Sequence, residues 1–226
     1  MTLCLALLLA VGGFFDVYPK DANTAVDFIG NHKEIREILS NTMSDNVADM
    51  AIAIVAPEIS QFSSINNWAQ QRSLSMSYIL YGRGDFSIGY FQMKPSFAEK
   101  VENMVASDNS LQRLHPKLCF PKKENADETE LREQRHDRLE RLSSLEWQCR
   151  YLAAFISIVQ KNTASMTFSS DVEKLRYWAT LYNAGMHQTP SRVAAIQKKK
   201  QFPRFGSVKF NYSDVVEEFY LRLKGK

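Results

Sequence analysis

Cysteine is scarce in this chain, with three among 226 residues, and so small and odd a number excludes a disulfide-stapled scaffold. Histidine is nearly as sparse. His32, His115, His136 and His187 are scattered without the spacing of a metal site, so they read as surface or packing residues, and the sequence asks for no metal and no other cofactor. Charge of one sign is not in excess either. Lys+Arg 28 against Asp+Glu 25 leaves a net +3 spread along the chain, which removes the usual ground for expecting a nucleic-acid partner. Repeats, collagen-like periods and low-complexity tracts are missing too.

Long apolar runs are lacking with one exception. Leu3 to Phe15 is uncharged and apolar, yet at thirteen residues it is too short to cross a hydrocarbon layer of roughly 30 Å. It fits the hydrophobic core of a signal peptide over residues 1–15, followed by a single domain over 16–226 with no integral membrane span. No Lys or Arg precedes the run and no Ala-x-Ala site ends it, and a buried N-terminal helix is the competing reading. Removal of such a leader would take Cys4 with it, leaving Cys119 and Cys149 as a candidate pair in an oxidising compartment.

What is present is material for a core: 45% hydrophobic residues, with 14 Phe, 9 Tyr and 3 Trp. Most of it carries helical periodicity. Helices are predicted over Asp21–Ser40, over Asn46–Glu58 with Asp45 as cap and Pro57 near the end, and over Ser73–Tyr81 up to the Gly82-Arg83-Gly84 break. Pro95 is placed to start another. The charged stretch 122–141 reads as a solvated helix face whose continuation from Leu142 to Val159 enters the core. Asp171 is expected to cap a helix ending at Asn183-Ala184-Gly185, with last helices over Pro190–Lys200 and Ser213–Leu223. Residues 85–92 differ. Phe86, Ile88, Tyr90 and Phe91 around Gly89 suit a short irregular strand or hairpin. The class is therefore mostly α, with one small irregular β element.

Three features stand out from this background. Glu58 is a carboxylate at the end of an almost wholly apolar helix, where apolar surroundings would raise its pKa toward the range of a general acid. Gly89-Tyr90-Phe91-Gln92, followed by Pro95, offers a glycine of the sort that marks a bulge or a close approach to backbone, beside a side-chain amide able to donate and accept. Tyr182-Asn183-Ala184-Gly185 ends a helix with a phenol that could hold a neighbouring carboxyl. Each alone is an ordinary surface acid, turn or helix stop.

In this order the three resemble the lysozyme-like domain of lytic transglycosylases and goose-type lysozymes, over about residues 45–196. That family carries a catalytic Glu at a helix end, a Gly-x-x-Gln segment with a nearby Pro, and a helix ending in Tyr-Asn-Ala-Gly, with a Tyr-Leu pair between, here Tyr151-Leu152. The resemblance implies an α+β lysozyme-like fold and cleavage of the β-1,4 bond between MurNAc and GlcNAc in peptidoglycan, by an exported protein of the periplasm or cell envelope. It further implies Glu58 as acid then base, Tyr182 as its orienting phenol, and Ser87, Gly89, Gln92 and Asn183 along the glycan groove. Some positions depart from the pattern. Ile59 stands where the family has Ser, with Ser60 next; Asp85-Phe86-Ser87-Ile88 stand where small residues are common and would narrow or reshape the groove; Lys94 stands where goose-type lysozymes carry Asp.

Two reactions are open to such a site. Inverting hydrolysis needs a second carboxylate roughly 6.5–9.5 Å from the first, and Asp85 is the candidate. A transglycosylase needs Glu58 alone, because the C6 hydroxyl of the same muramic acid closes a 1,6-anhydro ring. Lys94 favours the second. A glycan-binding or partner-binding protein of the same fold without turnover is the remaining alternative. Lys198-Lys199-Lys200 with Arg204 read as a solvated helix end that could touch anionic wall polymers, and Asn211-Tyr212-Ser213 matches a glycosylation sequon.

Overall fold

The seventeen residues of Asp45–Gln61 form a helix (α4) in which alanines at 48, 51, 53 and 56 alternate with Met50, Ile52, Ile54 and Val55, so nearly every face is apolar and can be buried. The computed structural model, which describes residues 12–62, 68–118 and 127–225, builds the domain around this helix. Phe14–Val17 (α1), Pro19–Asn31 (α2) and Glu34–Ser40 (α3) precede it; α2 and α3 both pack on it. Trp68–Tyr81 (α5), Pro95–Ala106 (α6) and Asn109–Leu114 (α7) follow, then a 3₁₀ turn at Pro116–Leu118. Glu128–Ser143 (α8), Leu145–Asn162 (α9), Asp171–Ala184 (α10), Pro190–Ile196 (α11) and Tyr212–Lys224 (α12) complete the chain. Helix α12 lies against both α4 and α10. Among the described residues the protein is thus mostly α, and no helix is long and apolar enough to cross a membrane.

The small β element falls where expected, as an antiparallel bridge between Ile88 and Met93, and a second bridge joins Phe202 to Phe210. Several helix limits differ from those read in the sequence. Asp21–Ser40 is two helices, because His32 leaves helical backbone (φ −109°, ψ 70°) and its ring packs on Phe28 and bonds Glu34. Likewise the charged and apolar halves of 128–162 are separate helices divided at Ser144 (ψ 129°). The residues before the expected caps take the cap positions: Ser44 precedes α4, and Ser170 accepts from the Glu173 amide at 3.1 Å. Helix α11 stops at Ile196 rather than Lys200. The Asn211 amide takes the carbonyls of Ile196, Gln197 and Lys199, which folds that segment back onto the start of α12.

That same bonding removes Asn211 from use as a glycosylation acceptor, since it is 4% exposed and its Oδ1 caps α12 through the Ser213 amide at 2.8 Å. Cys149 is a free thiol sealed in the core on α9, pushed up to about 12 by burial first and by the Glu34 charge second. Its expected partner, Cys119, lies outside the described residues. Of the expected leader, residues 1–11 are also outside them. Phe14 and Phe15 are packed in the domain: Phe14 is fully buried among Tyr18, Phe202, Phe210 and Phe219, and both amides donate to the Glu218 carboxylate.

Candidate active site

Near its C-terminal end α4 runs through Pro57, which has no N–H to give the Ala53 carbonyl, and continues to Gln61. Every residue from Met50 to Gln61 is buried except Glu58, which is half-buried and faces a groove of about 320 Å³. Ser60, two residues on, is buried and donates its hydroxyl to the Pro57 carbonyl at 2.6 Å, so it stabilises the helix end and does not reach the groove. Ile59 belongs to the core.

One wall comes from the turn at 85–93. Phe86 and Ile88 point into the core and Ser87 into the groove, the alternation expected of extended backbone. Of Asp85-Phe86-Ser87-Ile88 only Ser87 lines the groove, so Phe86 and Ile88 do not narrow it and the stretch shapes it through Ser87 alone. Ile88 and Met93 exchange amide bonds at 2.9 and 3.1 Å and enclose a four-residue loop. Gly89 has φ +68°, and a Cβ there would lie 1.8 Å from the Gln148 amide nitrogen. The close approach that this glycine permits is thus that of Gln148, a buried residue of α9 that accepts from the Phe91 amide at 2.8 Å and donates to the Leu142 carbonyl at 2.9 Å. Gln92 holds a left-handed backbone (φ +50°) and donates its amide to the Gly89 carbonyl at 2.7 Å. Such a conformation costs a non-glycine residue of order 1–3 kcal/mol, and it places the Gln92 side chain on the groove.

The remaining walls come from α10, which contributes Thr180 and Asn183, and from the segment running from Ile196 to Tyr212. Glu58, Ser87, Gln92 and Asn183, all singled out in the sequence, therefore meet on one groove. Gly89 shapes the turn without lining it. Tyr182 has a different task from the one expected. Its hydroxyl donates to the Phe91 carbonyl at 2.7 Å, tying α10 to the turn, while burial and the nearby Glu58 charge hold its phenol far above the usual value. Asp85 does not line the groove either; it is paired with Lys94 at 3.5 Å and accepts from the Ser96 amide.

The phenol that shares the groove with Glu58 and acts on its carboxyl is that of Tyr212, the first residue of α12. Burial pushes the Glu58 carboxyl up to about 7; a phenol proton given to the carboxylate and the charge of Lys94 would each pull it down. The Tyr212 proton is already engaged, because that hydroxyl donates to the Ile54 carbonyl at 2.8 Å. A phenol has one proton. No phenol proton is then left for the Glu58 carboxylate, so the pull downward that a donor would exert is weakened. Sequence reasoning met Tyr212 solely as the middle of a sequon. Gln61, one helical turn after Glu58 and also on the groove, was legible from its i+3 spacing.

Glu58 is the one acid among the described groove residues, and Lys199 and Arg204 are its cations. The arrangement offers a carboxylic acid still about half protonated near pH 7, with hydrogen-bonding amides and hydroxyls for a polar uncharged ligand in an open cleft. No protein-family model, curated protein or solved structure matches the chain.

Proposed function

We propose that this chain is a lytic transglycosylase of lysozyme-like architecture, acting on the β-1,4 bond between MurNAc and GlcNAc in peptidoglycan strands outside the cytoplasm, in the periplasm or cell envelope. The observation that carries the reading is a single carboxylic acid, raised to about 7, facing an open groove that holds no second carboxylate among its described residues. Protonated Glu58 gives its proton to the glycosidic oxygen as the bond to C1 breaks. The carboxylate so formed takes the proton of the C6 hydroxyl, and that oxygen closes on C1 to give the 1,6-anhydro ring. Because the nucleophile is tethered to the electrophile, no water has to be positioned or activated. Ser87, Gln92 and Asn183 supply the polar groups that hold the sugars.

Hydrolysis through Asp85 is the weaker reading, since that carboxylate is turned to Lys94 and Ser96. Loss of catalysis in a binding protein has less support as well, because the residues at 59 and 86 that depart from the family pattern belong to the core. The experiment is Glu58→Gln with purified sacculi. Release of anhydro-muropeptides should fall at least about 100-fold with an unchanged circular dichroism spectrum. Undiminished release, or products that have gained water by mass, would overturn the proposal.

A further inference from the structure

The loop that carries Gln92 does not satisfy all of its own main chain. Ile88 and Met93 exchange amide bonds across its base, and the Gly89 carbonyl accepts from the Gln92 main-chain amide at 3.2 Å and from the Gln92 side chain at 2.7 Å. Phe91 is different. It is fully buried, and both of its main-chain groups bond outside the loop: the N–H donates to Oε1 of Gln148 on α9 at 2.8 Å, and the C=O accepts from the Tyr182 hydroxyl on α10 at 2.7 Å. A buried main-chain N–H has to find an acceptor, and Gln148 supplies it.

Gln148 is also fully buried, and it is fixed in one orientation. Its Nε2 donates to the Leu142 carbonyl near the end of α8 at 2.9 Å, so turning the amide over would set two acceptors and two donors against each other and lose both bonds. Gly89 closes the arrangement, because any Cβ there would lie 1.8 Å from Nε2. The peptide clamped by Gln148 and Tyr182 leads directly into Gln92, whose backbone is held at φ +50°. With its Nε2 given to Gly89, the Gln92 side chain keeps Oε1 for a hydroxyl in the groove. Gln148 itself does not line that groove.

We propose that Gln148 is a positioning residue for glycan binding: through the Phe91 amide it holds the left-handed backbone of Gln92 and so aims the Gln92 side chain at the sugar. This rests on the transglycosylase reading for its substrate. It adds a buried residue that never touches the glycan to those on which binding depends.

The test is a double-mutant cycle on soluble peptidoglycan strands. Q148M keeps the length of the side chain and loses both bonds; it should raise KM about tenfold, the worth of one neutral hydrogen bond, with kcat within about twofold of wild type. Q92A should do the same, and Q92A/Q148M should be no worse than Q92A alone, because Gln148 acts through Gln92. Losses that multiply, or a fall in kcat with KM unmoved, would overturn the proposal. Q148E is the conservative variant and serves also if Q148M does not fold. Its carboxylate still accepts from Phe91, but only its protonated form can donate to Leu142, so its KM should return toward the wild-type value as pH is lowered to about 5. A KM still about tenfold high there counts against positioning. Failure of the reaction is told apart without substrate. If wild-type protein cleaves no strand, the transglycosylase reading falls, and NMR of the Gln92 side-chain amide decides the positioning: its exchange with water should quicken at least about tenfold in Q148M or in ionised Q148E, and unchanged exchange overturns it.

Discussion

Glu102 and Glu58 both lie on helices, the first buried and the second half-buried, yet their surroundings differ in each respect that matters to a carboxyl. Glu102, on α6, is 5% exposed; it accepts from Arg138 at 2.6 and 3.0 Å and from the Tyr151 hydroxyl at 2.6 Å. Arg138 also donates to the Tyr78 oxygen at 2.6 Å, and Tyr78 donates to Glu99 at 2.5 Å, so one network ties α5, α6, α8 and α9 together. Burial alone would weaken the charge on Arg138, but pairing with Glu102 outweighs it and holds the guanidinium firmly protonated. Glu58 has no such cation in hydrogen-bond contact among the described residues, and the phenol beside it has given its proton to a main-chain carbonyl. Burial by itself therefore does not make an acid catalyst. What separates the firmly ionised glutamate from the one whose pKa is raised is the cation it has or lacks.

Breaking the paired site should have the largest effect on the fold. Arg138→Met strands the Glu102 carboxyl in the interior and should lower unfolding free energy by about 3–5 kcal/mol in urea, with much of it regained in E102Q/R138M. A loss below about 1 kcal/mol would mean that the network is ornamental. At the unpaired site the effect runs the other way. Glu58 binds its proton in the folded protein up to about pH 7 and in the unfolded chain only to about its ordinary value of 4.5. Between those values the folded state holds the extra proton, so stability falls as pH rises through the window, by at most ~3 kcal/mol. Glu58→Gln should abolish that slope and make the protein more stable than wild type at pH 8, by a smaller amount than R138M removes. Destabilisation by E58Q at pH 8 would show that Glu58 holds the fold together much as Glu102 does.

The contrast was only half legible in the sequence. Glu58 could be picked out because a carboxylate interrupts a run of apolar residues at one helix end, and the Gly89–Gln92 and Tyr182–Gly185 segments carry turn and cap chemistry visible along the chain. Those are local signals. The paired network joins residues 78, 99, 102, 138 and 151, and inside the charged 122–141 stretch Arg138 looks like any solvated cation, because nothing nearby in sequence reveals that its face of α8 is covered by α5 and α6. Tyr182 was assigned to Glu58 by order of motifs, whereas the phenol that meets Glu58 begins a helix about 150 residues later than α4. Helix limits failed where a tertiary bond ended the helix, as Asn211 does for α11, and held where the stop was glycine, as at Gly82 and Gly185.

The smallest effect is also the most discriminating, because its sign separates two ways of holding the same acid. If Tyr212 accepts from protonated Glu58, Tyr212→Phe removes support for the neutral form and the carboxyl titrates lower. The decline of kcat/KM above neutral pH, which reports loss of the Glu58 proton in the free enzyme, should then shift down by about half to one pH unit, one neutral hydrogen bond of about 0.5–1.5 kcal/mol. Were the phenol donating to the carboxylate instead, the same substitution would stabilise the neutral acid and shift the limb up. Carbon NMR titration of the Glu58 carboxyl reads the shift without turnover. A change in thermal stability with the limb unmoved would mean that Tyr212 only anchors α12 to the Ile54 carbonyl, and the acid would owe its proton to burial alone.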